Sequence, residues 1–347
     1  MDTFIRVKKN IGKYIEAGDR VLAAVSGGPD SMALLDVLAR AAKEMNISLY
    51  AAHLNHNLRG RESEKDLLFV KKQSALRGIR LIAGSASVRK LAAENNSGIE
   101  KAGRDARYAF FIKAAIKNRI NKIALGHNLD DNAETILFRF IKGAGGPGLS
   151  GIPAKRNVAP GEFGVKWKGK RTIILIRPLI CERKKDIIAY LEKNRIPYRT
   201  DRSNNSGVYA RNRVRNNLIP MIEKEHNNSF KEAAARTALI LTEEGFLLDS
   251  MAAEWMKRNV KKQGRAAVIK RSAFSAQPEP LKRRITALIL KGALKSARKI
   301  TFNLIEGAMA AIGAGSAMTL PEGAFILPGK KRGEAVLKRP GKSARGK

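Results

Sequence analysis

The chain has 347 residues, long enough for two or three domains, and its 44% hydrophobic content is ordinary for packed cores. Lys and Arg number 67 against 31 Asp and Glu, and the formal net charge of +36 indicates a polyanionic partner such as nucleic acid. A ribosome-associated protein or a merely basic, soluble protein would have the same composition. The single cysteine, Cys181, excludes an internal disulfide and a CxxC redox or zinc pair.

The first twenty residues are charged throughout and contain no apolar run followed by a cleavage site. No later stretch reaches membrane-spanning length. Together with the lone cysteine, these features predict a cytoplasmic protein that is neither exported nor embedded in a membrane.

From residue 20 onward, short apolar runs alternate with amphipathic stretches. The runs are rich in Val, Ile, Leu and Ala and occupy residues 21–25, 48–54, 80–86, 122–127 and 172–179. Such alternation predicts an α/β domain, a doubly wound parallel sheet covered on both faces, over residues 1–217. Ligands of such a sheet bind beyond the carboxyl ends of its strands.

The second half has a different pattern. Ala-, Leu- and Lys-rich segments predict a mainly α-helical second domain over residues 218–335, with a small closing hairpin around PEG and PGK turns. Residues 336–347 are expected to form a basic, disordered tail. The polar stretch 155–172 is expected to be a surface hairpin or mobile loop, either solvated or in contact with RNA.

The first predicted strand runs directly into SGGPDS, residues 26–31, and a helix follows. Gly27 and Gly28 allow the backbone to approach an anion closely, and the helix start offers free N–H groups, so phosphate should bind here. Ser26 and Ser31 can donate hydroxyls to it, and Asp30 can hold Mg²⁺ against it. The Walker lysine is missing, so this is not the loop of a kinase or GTPase.

Three further segments follow strand ends or share a helix face. His53 and His56 are interpreted as contacts to nucleotide or as structural hydrogen bonds, because acidic or thiol partners for a metal are lacking nearby. Asp131 and Glu134 share one helical face, where they can bind Mg²⁺ or a cationic amine or can simply cap the helix. Arg107 shares a face with Arg104 and can either neutralise an α-phosphate or pair with Glu.

A dense basic stretch lies near the end of the first domain. It contains Arg211, Arg213 and Arg215 among several asparagines, including Asn204 and Asn205. Planar donors in this density suit RNA phosphates and base edges, although an ordinary basic surface helix remains the alternative.

The SGGPDS loop resembles the loop of the N-type ATP-pyrophosphatase, or PP-loop, superfamily. The resemblance implies cleavage of ATP between the α and β phosphates, with adenylation of a substrate oxygen. The superfamily includes GMP synthetase, tRNA thiolases and tRNA(Ile)-lysidine synthetases.

Seven segments in order resemble the lysidine synthetases: SGGPDS, HLNHNLRGRESEKD, RDARY, GHNLDDNAET, GAGGPGLSGIP, IRPL and DRSNNSGVYARNRVRNNLIP. They cover about residues 20–222. The GHxxDDxxET element is shared with tRNA thiolases, whereas the LRG, GLSGIP and RNRVR elements together indicate the lysidine family. Asn132 departs from the family pattern, in which Gln is common, and the further C-terminal domain of longer members is expected to be missing or reduced.

The resemblance implies ATP-dependent ligation of free lysine to the wobble cytidine of the CAU-anticodon isoleucine tRNA, by a monomer or homodimer. The implied catalytic residues are Asp30, Arg107, Asp131 and Glu134. The implied ATP ligands are Ser26, Gly27, Gly28, Pro29, Asp30 and Ser31 for the phosphates and Ala51 and His53 for the adenosine. Asp30 and Asp131 would hold Mg²⁺, and Arg211, Arg213 and Arg215 would bind tRNA.

Two alternatives remain beside this interpretation. One is a PP-loop tRNA thiolase, which generally needs more cysteines than the one present. The other is a non-catalytic, basic RNA-binding protein that retains an ATP fold.

Overall fold

The computed structural model describes residues 3–58, 60–169, 171–200, 210–264, 266–294 and 299–339. The chain divides into two compact units, Met1–Leu239 and Ile240–Lys347. In the described part of the chain, no helix is long and apolar enough to cross a membrane.

The first unit alternates strands and helices, as the sequence predicts. Its strands are β1 (Arg20–Ala24), β2 (Ser48–Asn55), β3 (Arg80–Ser85), β4 (Lys122–Ala124), β5 (Lys155–Val158) and β6 (Ile173–Ile176). Its helices are α1 (Thr3–Gly12), α2 (Pro29–Glu44), α3 (Arg61–Leu76), α4 (Val88–Glu94), α5 (Ile99–Lys117), α6 (Leu129–Ile141), α7 (Gly146–Leu149), α8 (Lys184–Lys193), α9 (Ala210–Arg213) and α10 (Ile219–Glu225), with a π-helical turn over Val214–Leu218.

The six strands form one sheet in the order β3-β2-β1-β4-β6-β5, parallel except for β5. Apolar side chains on alternate positions of β1 enter different cores: Val21 and Ala23 pack with α2, whereas Leu22 packs with α5. Because a strand sends successive side chains to opposite faces, a sheet with two buried faces needs such continuous apolar strands. The predicted doubly wound sheet is confirmed, and the 155–172 stretch contains β5, which pairs with β6 as a hairpin.

The carboxyl ends of β1, β2 and β4 lie side by side at one edge of the sheet. The strand order reverses direction from β1, since β2 and β3 lie on one side of it and β4 and β6 on the other. This is the switch point at which open α/β sheets bind ligands. The described residues that follow the three strands include SGGPDS, HNL and GHNLDD, and the fold brings them to one edge of the sheet.

The second unit combines helices with an antiparallel sheet. A long helix, α11 (Phe230–Asn259), leads into it and is followed by β7 (Val260–Gln263), β8 (Ala266–Lys270), α12 (Arg271–Ser275), α13 (Glu279–Ala293), α14 (Phe302–Ala314), β9 (Met318–Leu320), β10 (Ala324–Pro328) and β11 (Glu334–Lys338). The sheet order is β7-β8-β11-β10-β9. The closing hairpin is present, but β7 and β8 were not predicted, because the pairing of β8 with β11 is non-local and β7 is a short, exposed, Lys-rich edge strand.

Two predicted boundaries differ from the observed ones. The division between units falls after residue 239 rather than 217, because α10 and the first turns of α11 are tied to the first unit by ion pairs such as Lys231–Asp130. The predicted tail begins at 336, but β11 continues to Lys338 because these residues pair with β8 and β10. Residues 340–347 of that tail lie outside the described residues.

Candidate active site

The loop between β1 and α2 is organised around the Ser31 hydroxyl. Ser31 Oγ accepts hydrogen bonds from the backbone N–H groups of Ser26 and Gly27, both at 3.1 Å, and donates to the Gly28 carbonyl at 2.8 Å. Gly27 has φ +93°, a left-handed conformation that disfavours any residue with a Cβ. The loop is therefore a tight turn held by Ser31 directly before the N-terminus of α2, and the N-terminus of a helix is a site that binds phosphate.

A cavity of about 600 Å³ opens from this loop. Of the predicted site residues, it is lined by Ser26, Gly28, Asp30, Ser31, His53 and Arg107. The predicted residues outside its lining are Gly27, Pro29, Ala51, Asp131, Glu134, Arg211, Arg213 and Arg215. Ala51 lies in the apolar core of the sheet, two residues before His53.

The histidines of the cavity are neutral. His53 is buried, and its Nδ1 lies 2.9 Å from the Val25 carbonyl, so it ties β2 to the end of β1. Burial, reinforced by the charge of Arg107, lowers the pKa of His56 to about 4. Burial also lowers the pKa of His127 to about 3. Within the described chain, Nδ1 of His56 and Nδ1 of His127 have no hydrogen-bond partner, which leaves both available to a ligand.

Positive charge is concentrated around His127, which lines the cavity. After burial, the charges of Arg177, Arg107, Arg104 and Arg211 lower the pKa of His127 further, and of these four arginines Arg107 lines the cavity itself. Desolvation followed by repulsion from Arg104 lowers the pKa of Arg107 in spite of Tyr108 and Glu100. Because an anion would balance these like charges, the region around Arg107 and His127 suits the phosphate of a nucleotide.

Asp131 lies in the first turn of α6 and forms a capping box with Asn128. Asp131 N donates to Asn128 Oδ1 at 2.9 Å, and Asn128 N donates to Asp131 Oδ2 at 3.1 Å. Burial, together with the charges of Asp30 and Glu134, raises the pKa of Asp131 to about 6. The carboxylates of Asp30 and Glu134 therefore both repel that of Asp131, as expected for groups that share a cation.

Glu134 is 4% exposed and forms an ion pair with Arg211. Arg211 also reaches the Thr135 hydroxyl at 3.4 Å. Arg213 and Arg215 are exposed instead. The three arginines predicted as one RNA-binding group thus fall into two kinds, one that neutralises a buried carboxylate and two that face solvent. Asn204 and Asn205 lie outside the described residues.

Two lysines distant in sequence complete the acidic end of the site. Lys184 Nζ forms an ion pair with Asp30 Oδ2, and Asn128 Nδ2 donates to Asp30 Oδ1 at 2.9 Å. Lys231 Nζ lies 2.8 Å from Asp130 Oδ1. Sequence reasoning missed both lysines, because nothing distinguishes them among 67 Lys and Arg. Asn128 carried a signal, since it immediately precedes an acid-rich helix start.

The GLSGIP segment holds α6 in place. Asn132, which is buried, accepts a hydrogen bond from Ile152 N at 2.7 Å, and Arg139 Nη1 donates to the carbonyls of Gly148 and Gly151, both at 2.9 Å. The side-chain amide of Asn132 makes the hydrogen bond to Ile152 N, so the Asn that stands where Gln is common still contacts the loop. This loop thereby supports the helix that carries Asp131 and Glu134.

The donor set fits Mg²⁺. Oxygen ligands are those that Mg²⁺ prefers, and it commonly binds one or two carboxylates together with substrate phosphates rather than a cage of protein ligands. Asp30 and Asp131 provide two such carboxylates beside a phosphate-binding loop. Among the described residues there is no cluster of three or more acidic, His or Cys side chains that could hold a metal by themselves.

A family model described as PP-loop domain matches residues 3–222. The chain therefore belongs to the PP-loop domain family. A U34-tRNA thiolase from Methanococcus maripaludis, solved with its [4Fe-4S] cluster, is similar in structure, with TM-score 0.53 and 18% identity over 69% of this chain and 80% of that one. At that identity the likeness supports the fold alone.

The relatives found by sequence similarity are more specific than the family model. The chain is 38% identical to a tRNA(Ile)-lysidine synthase of Bacillus licheniformis, over 79% of this chain and 55% of that protein. It is 35% identical to a tRNA(Ile)-lysidine synthase of Clostridium tetani, over 91% of this chain and 65% of that protein. The bifunctional protein TilS/HprT of Listeria innocua is 38% identical over 82% of this chain and 42% of its own length. The chain thus spans about half the length of the curated relatives it matches.

Proposed function

We propose that this protein is a tRNA(Ile)-lysidine synthase, which ligates free lysine to the wobble cytidine of the isoleucine tRNA with a CAU anticodon and converts ATP to AMP and diphosphate. The observation that carries the proposal is that the SGGPDS loop and Arg107 line one cavity, and that Asp30 of this loop and Glu134 both repel the carboxylate of Asp131. The named relatives and the net charge of +36 support the same substrate class.

The reaction has two steps. The carbonyl oxygen of the wobble cytosine attacks the α-phosphorus of ATP, and the bond to the β-phosphate oxygen breaks with release of diphosphate. An amine of lysine then attacks the ring carbon, the bond from carbon to the adenylated oxygen breaks, AMP departs, and the amine loses a proton. Adenylation is needed because the unmodified carbonyl oxygen is a very poor leaving group.

Different side chains act on the negatively charged phosphates and on the positively charged lysine substrate. Ser26, Gly28 and Ser31 hold the phosphates of ATP, and Arg107 neutralises charge that develops at the α-phosphate. Mg²⁺, held by Asp30 and Asp131, would supply further charge neutralisation to the phosphates. Glu134 attracts the ammonium group of lysine to the same site.

The arrangement of Glu134 favours an amine substrate. Its carboxylate is buried and is paired with a cation already, namely Arg211. A buried carboxylate that faces a flexible basic side chain can exchange that partner for an incoming ammonium group and stay paired throughout, which avoids the cost of an uncompensated buried charge. A thiolase of the cluster type, in contrast, holds its iron through cysteine thiolates, and this chain has one cysteine.

The proposal is tested by incubating the protein with ATP, labelled lysine and an isoleucine tRNA transcript that has C at the wobble position. Mass spectrometry of the digested nucleosides should detect cytidine that has gained lysine minus water. A transcript with U at that position should take up no lysine. Unmodified cytidine, under conditions in which the protein binds both ATP and the transcript, would refute the proposal.

A substitution in the proposed site is compared with a matched substitution elsewhere on the surface. Asp131→Asn should reduce lysine incorporation by at least about 100-fold, because it removes a charge that positions either Mg²⁺ or lysine. Glu94→Gln is the matched control, since this acid lies on the exposed face of α4 and only approaches Lys90 at 4.0 Å. It should leave incorporation unchanged.

A further inference from the structure

The SGGPDS loop has the backbone donors of a phosphate site but lacks the lysine that reaches the β and γ phosphates in a Walker loop. A phosphate-binding loop benefits from such a cation, because backbone dipoles alone carry only partial charges. Lys184 is suited to this role, since its ammonium group already lies on the loop, against Asp30 Oδ2. It comes from a position 154 residues away in sequence.

The backbone of Lys184 is held firmly. Its N–H donates to Asp130 Oδ2 at 2.7 Å, and Asp130 is itself paired with Lys231. Just upstream, the Glu182 carbonyl accepts from Leu129 N at 3.0 Å, and the Glu182 carboxylate is buried against Arg6. The start of α8 is therefore tied to the start of α6, and the side chain of Lys184 can move while its backbone stays fixed.

Both carboxylate oxygens of Asp30 are engaged in this state. Its Oδ2 is occupied by Lys184 Nζ, and its Oδ1 accepts from Asn128. Coordination of Mg²⁺ by Asp30 thus requires that Lys184 leave, because two cations repel each other at one oxygen. Rotation about the side-chain torsions of Lys184 is sufficient to carry its ammonium group from Asp30 to an anion bound beside it.

We propose that Lys184 is a built-in counter-ion of Asp30 that exchanges with Mg²⁺ when ATP binds, and that it then binds the diphosphate portion of the nucleotide. It thereby replaces the Walker lysine from another part of the chain. The exchange keeps the loop close to electrically neutral in both states, so ATP without metal is not repelled by Asp30. This inference rests on the proposed use of ATP, but it requires neither tRNA nor lysine.

The first test is diphosphate binding without metal. Inorganic diphosphate is titrated calorimetrically into the ligand-free protein in the presence of EDTA. Lys184→Gln should weaken its binding by at least about tenfold, since both the attraction of Lys184 and its neutralisation of Asp30 are lost. Lys184→Arg should recover most of the affinity. Equal affinity of the Lys184→Gln variant and the unaltered protein would overturn the proposal.

The second test is the Mg²⁺ dependence of ATP binding. If Lys184 had only a structural role, its substitution would leave this dependence unchanged. In the Lys184→Gln variant the competing ammonium group is gone, so the free Mg²⁺ concentration that gives half of the maximal ATP binding should fall severalfold. An unchanged or higher Mg²⁺ requirement would overturn the exchange. Lys185→Gln, the same charge change at the neighbouring exposed position, is the control and should behave as the unaltered protein in both tests.

These experiments remain informative if the proposed function fails. Diphosphate and ATP binding are measured without any tRNA, so a protein that modifies a different RNA would give the same result. The fold of each variant is checked by circular dichroism and thermal unfolding. The hydrogen bond from residue 184 to Asp130 is made by the backbone, so the substitution leaves it intact.

Discussion

Substitution of Gly151 would test how the GLSGIP loop supports helix α6. Gly151 has φ +67°, and a Cβ added to it would lie 2.3 Å from Asn132 Oδ1 and 3.2 Å from Ile136 Cδ1. That Oδ1 is the acceptor for Ile152 N. Gly151→Ala should therefore both strain the backbone and displace the Asn132 side chain from its hydrogen bond.

The expected loss of stability is the sum of the backbone strain and the lost hydrogen bond. An L-residue in the left-handed region costs about 1–2 kcal/mol. A buried polar group left without its partner costs about 1–3 kcal/mol more. The total is about 2–5 kcal/mol. Gly143→Ala is the matched control, because Gly143 has φ +75° and a Cβ added to it would meet no described atom within 4 Å, so only the strain remains.

The assay is hydrogen exchange at the Ile152 amide. A difference of about 1–3 kcal/mol between the two variants corresponds to about 5–150-fold in protection, which exchange rates resolve readily. Gly151→Ala should also lower lysine incorporation, since α6 carries Asp131 and Glu134. Equal protection of Ile152 in both variants would show that the Asn132 contact does not hold the loop.

Three further predictions concern charges. Because burial raises the pKa of Asp131 to about 6 from 3.8, its ionised form opposes folding, so the free energy of unfolding should fall as the pH rises from about 4 to about 6. Asp131→Asn should therefore stabilise the ligand-free protein by up to about 3 kcal/mol in urea unfolding at neutral pH, and a gain that persists below about pH 4 would contradict this. Lys122→Ala should lower the free energy of unfolding by about 3 kcal/mol, since it leaves the buried carboxylate of Asp19 without its ion-pair partner; an effect below about 1 kcal/mol would argue against the pair. Arg213→Ala should reduce the slope of tRNA affinity against salt concentration by about 1 in filter binding, whereas Arg211→Ala should affect lysine incorporation more than tRNA affinity; the reverse order would contradict the ion pair of Arg211.

The sequence by itself determined the parallel sheet and the position of its functional loops. Apolar runs such as residues 21–25 and 48–54 have the continuous character that a strand buried on both faces needs, and the helices between them are amphipathic. The carboxyl ends of these strands meet at one edge, so the clustering of Asp30, His53 and the residues after β4 also followed. These features depend on local patterns and on the topology that such patterns allow.

Only the tertiary structure decided which charges pair. Lys184 reaches Asp30 and Arg211 reaches Glu134 across 154 and 77 positions of the chain, and a charged residue carries no local mark of its distant partner. The sheet of the second unit depended on tertiary structure for the same reason, since the Lys-rich β7 becomes a strand by pairing with β8. Periodicity records which face of an element is buried, whereas partners far apart in sequence are selected by packing and by the cost of leaving a charge unpaired.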